Sequence, residues 1–521
     1  NMRATSLGHA GILIEAGSSR ILCDPWFVPA FFGSWFVFPR NDQLDAELLA
    51  KIESPTHLYI SHIHGDHLDE AFLASHVSRD ATVLLPDFPS HELERRLSSL
   101  GFTKFIKTEN GKEIAIDNET KIAIHVETSI TDGPGGDSAL VVSDKTARLV
   151  NQNDCRTGDL DALRSHGPID LHWLQYSGAI WYPMVYEQDA TTKQNLARAK
   201  VESQFARALK YVERLNARAV VPSAGPPCFL DEELFHLNMI TGNETSIFPD
   251  QTKFLERLRK LGREHDILAI PGTEIEISPE EISVSSPKNV DVSEIFAHKE
   301  KYLRKYQADW SEWLQAEKNK WLTTSSTNQT DLVGELQAWF EPLLAICPAL
   351  RSGIGANCLI RTRDTKILIN FQEAKVENFI DQTFGFRFDI PRELLETIVH
   401  QKAVDWSNSF FLSCRFTAWR SGEFNEYLYN FFKSLSVERM TRAEHEAAER
   451  LNFSRDLSEE IEIGDYVMQR KCPHRQADLS VFGEIDGNTL TCSLHGWRFD
   501  LTDGHCLNAE DRPLKVRKKT S

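Results

Sequence analysis

From residue 2 to about residue 280, short apolar runs alternate with longer amphipathic stretches. ATSLGHAGILIEA, SRILCDPW, THLYISHIH, ATVLLP, KIAIHVETS, SALVVSD, ARLVNQND and AVVPSAG are short, rich in Val, Ile and Leu, and close near Gly, Pro or Asp, which predicts strands. DAELLAKI and TKQNLARAKVESQFARALKYVERLN carry helical spacing between them. Strands interleaved with helices predict a layered α/β domain over 2–285. Residues 291–322 are highly charged with helical periodicity. They predict a helical linker over 286–331 that ends in the polar TTSSTNQTD. Residues 332–454 predict an α+β region, with strand candidates in NCLIRTRDTKILINF and SFFLSCRFTAW and a helix in GEFNEYLYNFFKSL. No catalytic signature is legible there. Residues 455–521 are short apolar segments with turns, an all-β pattern, and the closing KVRKKTS reads as a solvated tail.

Composition narrows the function. The chain has 521 residues, too many for one core. A net charge of -18 argues against general binding to nucleic acid or anionic membrane surfaces. No apolar run reaches the roughly 18 residues of a membrane-spanning helix. PWFVPAFFGSWFVFP (25–39) is interrupted by Pro, Gly and Ser and reads as a loop lining a pocket. Nine cysteines without a legible export signal predict free thiols or metal ligands, in a cytoplasmic protein. RSGIGAN is not G-x-G-x-x-G and no P-loop occurs, so no nicotinamide, flavin or ATP site is signalled.

Two motifs carry chemistry. In SHIHGDH, alternation along an extended segment points His62 and His64 to one side, and Asp66 and His67 follow in a turn. Imidazole and carboxylate at this density suit a first-row metal, either zinc for hydrolysis or iron for oxygen chemistry. The second motif is Cys472-x-His474, seventeen residues, then Cys492-x-x-His495. Taken alone, two Cys/His pairs also describe a zinc site.

The flanks of the second motif, with Pro473, the Gly-Trp after His495 and a Phe-Asp-x-x-x-Gly run, resemble the Rieske ferredoxin family over about sixty residues. That resemblance implies a [2Fe–2S] cluster with Cys472 and Cys492 on one iron and His474 and His495 on the other, and a potential of roughly -150 to +300 mV. A one-electron carrier has no use beside zinc, so the first motif leans to iron.

The first motif and its surroundings resemble the metallo-β-lactamase fold, an αββα sandwich. That resemblance assigns His62 and His64 to one metal, Asp66 and His67 to a second, and Asp154 to the bridge. DPWFVPAFFGSW, ISHIHGDHL, YPM and VPSAGPP bring the chain nearer the CMP-N-acetylneuraminate hydroxylase family, which joins a Rieske module to this fold but carries it first. The order found here resembles that of the UDP-N-acetylmuramic acid hydroxylases. The histidine expected before Asp137 is absent, and Asp231 and His236 stand where the last histidine is expected. One iron on His62, His64 and Asp154, or two irons, both remain open.

The resemblance implies a Rieske-dependent, non-haem iron monooxygenase that hydroxylates the N-acetyl group of a nucleotide sugar with O₂. Electrons would come from an external NAD(P)H-dependent reductase or a ferredoxin. His9, Trp26, Arg156, Arg415 and Arg420 are candidate substrate contacts. The alternatives are a zinc or manganese hydrolase of the same fold, or a redox-sensing electron-transfer protein.

Overall fold

A computed structural model describes residues 1–242, 244–323, 330–452, 459–508 and 513–520. Most of TTSSTNQTD and the boundary at 454/455 lie outside the described residues. The chain divides into two compact units: 1–128 with 135–184 and 190–315, and 129–134 with 185–189 and 316–521.

The first unit is built on two sheets. One has eight strands in the order Ile282–Ser285, Glu274–Ile277, Met2–Gly8, Gly11–Ala16, Ser19–Cys23, His57–Tyr59, Thr82–Leu85 and Phe105–Lys107. The other has six, ordered Ala219–Ser223, Leu171–Gln175, Arg148–Asn153, Asp137–Ser143, Lys121–Glu127 and Ile114–Ala115. Ile12, Ile14 and Ile21 face Leu140, Val142, Leu149 and Trp173 in a core shared by the two sheets. The alternate residues Leu13, Leu22 and Leu58 turn the other way, into a layer with Phe72, Leu73, Leu93 and Leu97 of two helices. Apolar side chains on both faces of one strand are what a sheet covered on both sides requires. The unit is therefore the αββα sandwich expected of the metallo-β-lactamase fold.

Three expectations change here. ATSLGHAGILIEA is not one strand but a hairpin, with Gly8 opposite Gly11 and His9 at the tip in a left-handed conformation (φ 54°). THLYISHIH is a strand only over His57–Tyr59, so the His-x-His motif lies on the loop that leaves it. The predicted linker is packed: Ile295, Leu303, Tyr306 and Leu314, from helices Val292–Ala297 and Lys299–Leu322, bury against Phe36, Phe38 and Phe235. A narrow apolar stripe with 3- and 4-residue steps seats a helix even when its outer face is charged.

In the second unit, a five-stranded sheet runs Lys375–Asn378, Lys366–Asn370, Cys358–Arg361, Phe386–Asp389, Thr417–Arg420. Of SFFLSCRFTAW, only the end is strand; Phe411–Ser413 is a 3-10 turn, and Phe411 and the preceding Phe410 are buried. Residues beyond 459 form two three-stranded sheets. The basic C-terminal run is no free tail. Val516–Lys518 pairs with Tyr466–Gln469, and Arg517 and Lys519 meet Glu460 and Glu462. No helix of the described residues is long and apolar enough to cross a membrane.

Candidate metal centres

In the first unit, the loop after His57–Tyr59 meets the start of Asp137–Ser143 and the end of Arg148–Asn153. Ser138 Oγ accepts from Tyr59 Oη at 2.7 Å and donates to the Ser61 carbonyl at 2.8 Å, so the second sheet holds the loop of the first. Gly135 and Gly136 make this approach close: a Cβ on Gly136, which has φ +90°, would lie 2.4 Å from the Phe88 ring.

The imidazoles are held from behind. Asp24 Oδ2 lies 2.8 Å from His67 Nδ1 and 2.5 Å from Ser61 Oγ, and Asp24 Oδ1 accepts from Ser61 N at 2.7 Å. His62 Nδ1 lies 2.8 Å from Ser61 Oγ and 3.2 Å from Asp137 Oδ1. With Nδ1 committed on both rings, Nε2 is the lone pair left for a metal. Both Nε2 atoms are buried and make no hydrogen bond, yet Asp154 Oδ2 lies 3.0 Å from that of His67 and 3.8 Å from that of His62. Lone pairs that face a shared point rather than each other describe a ligand set.

Asp66 Oδ2 lies 3.4 Å from His67 Nε2 and 2.7 Å from His9 Nε2. The His64 ring is 4.4 Å from that of His62, edge to face, and is less buried. Burial alone would lower the His67 imidazolium, but Asp154 and Asp66 hold it well above its ordinary value. Burial would raise the Asp66 carboxyl, but His67 and His9 hold it well below. Three buried carboxylates, Asp24, Asp66 and Asp137, and the partly buried Asp154 thus surround imidazoles, and a metal cation offsets such a donor set.

The remaining candidates fall in different places. Trp26 is fully buried, edge-on to His9 at 4.7 Å, with its indole N–H donated to the Val28 carbonyl. It forms a wall behind His9, with its one polar atom already used. The 25–39 loop adds Trp35, 6.3 Å from His9. Arg156 is half-buried near Gly178. Asp231 is buried at the head of the 3-10 helix Glu232–Asn238, on which His236 is exposed. Arg415 and Arg420 belong to the second unit, where they lie over Trp321 and over Tyr186 and Phe424. Sequence reasoning missed the supporting roles of Asp24, Ser61 and Asp137.

In the second unit, two turns bring the other motif together. Cys472 and His474 follow strand Tyr466–Gln469, and Cys492 and His495 span the turn between Thr489–Cys492 and Trp497–Asp500. The two histidine rings lie 5.2 Å apart. His474 Nε2 is 2.6 Å from Glu426 Oε2 and His495 Nε2 is 2.9 Å from Asp132 Oδ1. Both Nδ1 atoms are buried without a hydrogen-bond partner. Burial, then the adjacent Cys492, push the Cys472 thiol well above its ordinary value, a cost that bound iron reverses. Two thiols and two free imidazole nitrogens fit the mixed ligation of a Rieske cluster.

Comparison with known proteins agrees. A Rieske [2Fe-2S] domain model matches residues 449–517, and an Rv3818-like, SCP2-like domain model matches 332–449. A Rieske 2Fe-2S iron-sulfur protein of Mycolicibacterium smegmatis is 41% identical over 527 residues, covering 99% of this chain and 100% of that one. The chain belongs to this family of Rieske iron–sulfur proteins. The SCP2-like model falls on the middle region of this Rieske protein, where no catalytic signature is legible. A cytidine monophosphate-N-acetylneuraminic acid hydroxylase of Danio rerio is 27% identical over 240 residues, 42% of this chain and 37% of that one. A metallo hydrolase of Ignicoccus hospitalis matches 55% of this chain and 99% of its own, with 16% identity and a TM-score of 0.36.

Proposed function

We propose that this Rieske protein is a hydroxylase that inserts oxygen from O₂ into the N-acetyl group of a nucleotide-linked sugar, with UDP-N-acetylmuramic acid as the first candidate. The observation that carries the reading is the pairing, in one chain, of a Rieske ligand set with a second, buried site of imidazoles and carboxylates. The methyl C–H of an acetyl group is not acidic, so no acid–base pair activates it and the hard chemistry falls to a cofactor. When bound, the cluster would supply electrons singly and non-haem iron at the first site would supply O₂ chemistry, with an external reductase or ferredoxin as the source.

The protein's own residues do the positioning. His62, His67 and Asp154 offer the metal ligands, with Asp66 and His64 beside them. The Asp154 carboxylate, within 3.8 Å of both Nε2 atoms, is placed to serve one iron or two. Asp24, Ser61 and Asp137 fix the rings, and Trp26 and Trp35 shield His9 from water. Support for the substrate comes from the partial likeness to a sialic acid hydroxylase and from the Rieske domain lying last in the chain.

The test is to supply a reductase, ¹⁸O₂ and each nucleotide sugar, and to search for the product by mass spectrometry. The reading expects one labelled oxygen in the acetyl group of UDP-N-acetylmuramic acid. Label on CMP-N-acetylneuraminate alone would move the substrate. Oxygen entering only from water would replace the oxygenase by a hydrolase.

A further inference from the structure

The Rieske turns do not supply all that their histidines touch. Glu426 opens helix Glu426–Phe432 in the SCP2-like stretch and is 4% exposed. Its Oε2 gathers three donors: His474 Nε2 at 2.6 Å, the Trp497 indole N–H at 3.0 Å and the Arg450 guanidinium at 3.5 Å. Trp497 stacks on the His474 ring, 4.1 Å between centroids and 16° from parallel, and Arg450 lies over the Trp497 ring at 4.8 Å. The contact is therefore built from several sides rather than made by one mobile side chain. The second histidine has its own carboxylate, Asp132, from the 129–134 segment.

We infer that Glu426 is a positioning residue of the Rieske centre, by which the SCP2-like domain orients His474 and holds the cluster's reduction potential below that of the Rieske fold alone. With Nδ1 left for iron, the Nε2–H of His474 donates to Glu426. A carboxylate on that hydrogen makes the imidazole a stronger donor and places negative charge beside the cluster, and both favour the oxidised state. The Trp497 N–H and Arg450 share the charge of Oε2 and moderate the effect. The sign of each change follows. Glu426→Gln removes the negative charge beside His474, so the potential rises. Trp497→Phe keeps an aromatic ring on His474 but withdraws a donor from Oε2, leaving more of its charge to His474, so the potential falls.

The measurement is a redox titration of the full-length, cluster-loaded protein, followed by visible circular dichroism and EPR, with iron and sulfide counts for each variant. For Glu426→Gln we expect a tenfold or larger shift of the reduction equilibrium toward the reduced state, ~59 mV or more for one electron. For Trp497→Phe we expect a smaller shift of opposite sign. A loaded Glu426→Gln protein with an unchanged potential overturns the inference, as do two variants that shift in the same direction. If Glu426→Gln fails to assemble the cluster, Trp497→Phe decides: a lowered potential supports the inference, and an unchanged or raised one overturns it.

Discussion

Asp24→Asn isolates the support behind the first metal site. The change keeps size and shape, and Asn tolerates the left-handed backbone that Asp24 adopts (φ 39°). Asp24 accepts three hydrogen bonds while fully buried, from Ser61 N, Ser61 Oγ and His67 Nδ1. An amide keeps one acceptor and turns the other into a donor. Either His67 Nδ1–H or Ser61 N then faces an N–H group. Losing a buried hydrogen bond to a charged acceptor costs ~1.5–3 kcal/mol. If His67 answers by moving its proton to Nε2, it gives up the metal lone pair. Removing the group that orients a ligating histidine lowers metal affinity about 10- to 100-fold. We expect the variant to fold, to keep the EPR signal and sulfide count of the Rieske cluster, and to lose iron from the other site to a chelator at 10- to 100-fold lower concentration than the parent (the same range, about 10- to 100-fold). A folded Asp24→Asn protein that holds that iron as tightly as the parent would refute the reasoning.

Further outcomes follow from other features. Gly136→Ala puts a Cβ 2.4 Å from Phe88 at φ +90°, so it should destabilise by ~1–3 kcal/mol and weaken metal retention by displacing Asp137; urea midpoints and iron analysis check both. His172 is fully buried, and burial lowers it to about 3, so it stays neutral in the fold down to that pH. The unfolded chain takes up a proton as pH falls below the ordinary histidine value near 6.5, so this group removes ~2 kcal/mol of stability between about pH 7 and about pH 5. His172→Asn, which also loses the 2.9 Å contact to Gln152, should be less stable at neutral pH but lose ~2 kcal/mol less on acidification. Denaturation curves at the two pH values that fall in parallel for parent and variant would count against this.

What the chain discloses by itself depends on how local each signal is. His62, His64, Asp66 and His67 stand within six positions, so their chemistry is legible without a fold. The same holds for the Cys/His pairs and their Gly-Trp flank. Asp24 is 37 residues from Ser61 and 43 from His67, and no spacing rule links them. The one hint is an aspartate closing the apolar run SRILC ahead of a proline. Glu426 is a single acid at the head of the aromatic run YLYNFF, and only burial beside His474 gives it meaning. The hairpin that carries His9 was hidden because alternation runs through it unbroken; the two glycines of GHAG were the sign of a turn. The stripe of Leu303, Tyr306 and Leu314 was masked by the charged residues around it, and the strand Val516–Lys518 by being an edge strand whose side chains are basic.

The account's central claim is that an electron stored on the Rieske cluster is consumed at the His62, His67 and Asp154 site. Its most direct test is a single turnover. The protein is reduced without oxygen, freed of excess reductant, and mixed with O₂ and UDP-N-acetylmuramic acid while the cluster's visible absorbance is followed. The account predicts fast reoxidation with formation of hydroxylated product in the parent, and slow reoxidation without product in His67→Ala, whose cluster should be intact by EPR. Equal reoxidation rates in the two proteins, with no product in either, would contradict it.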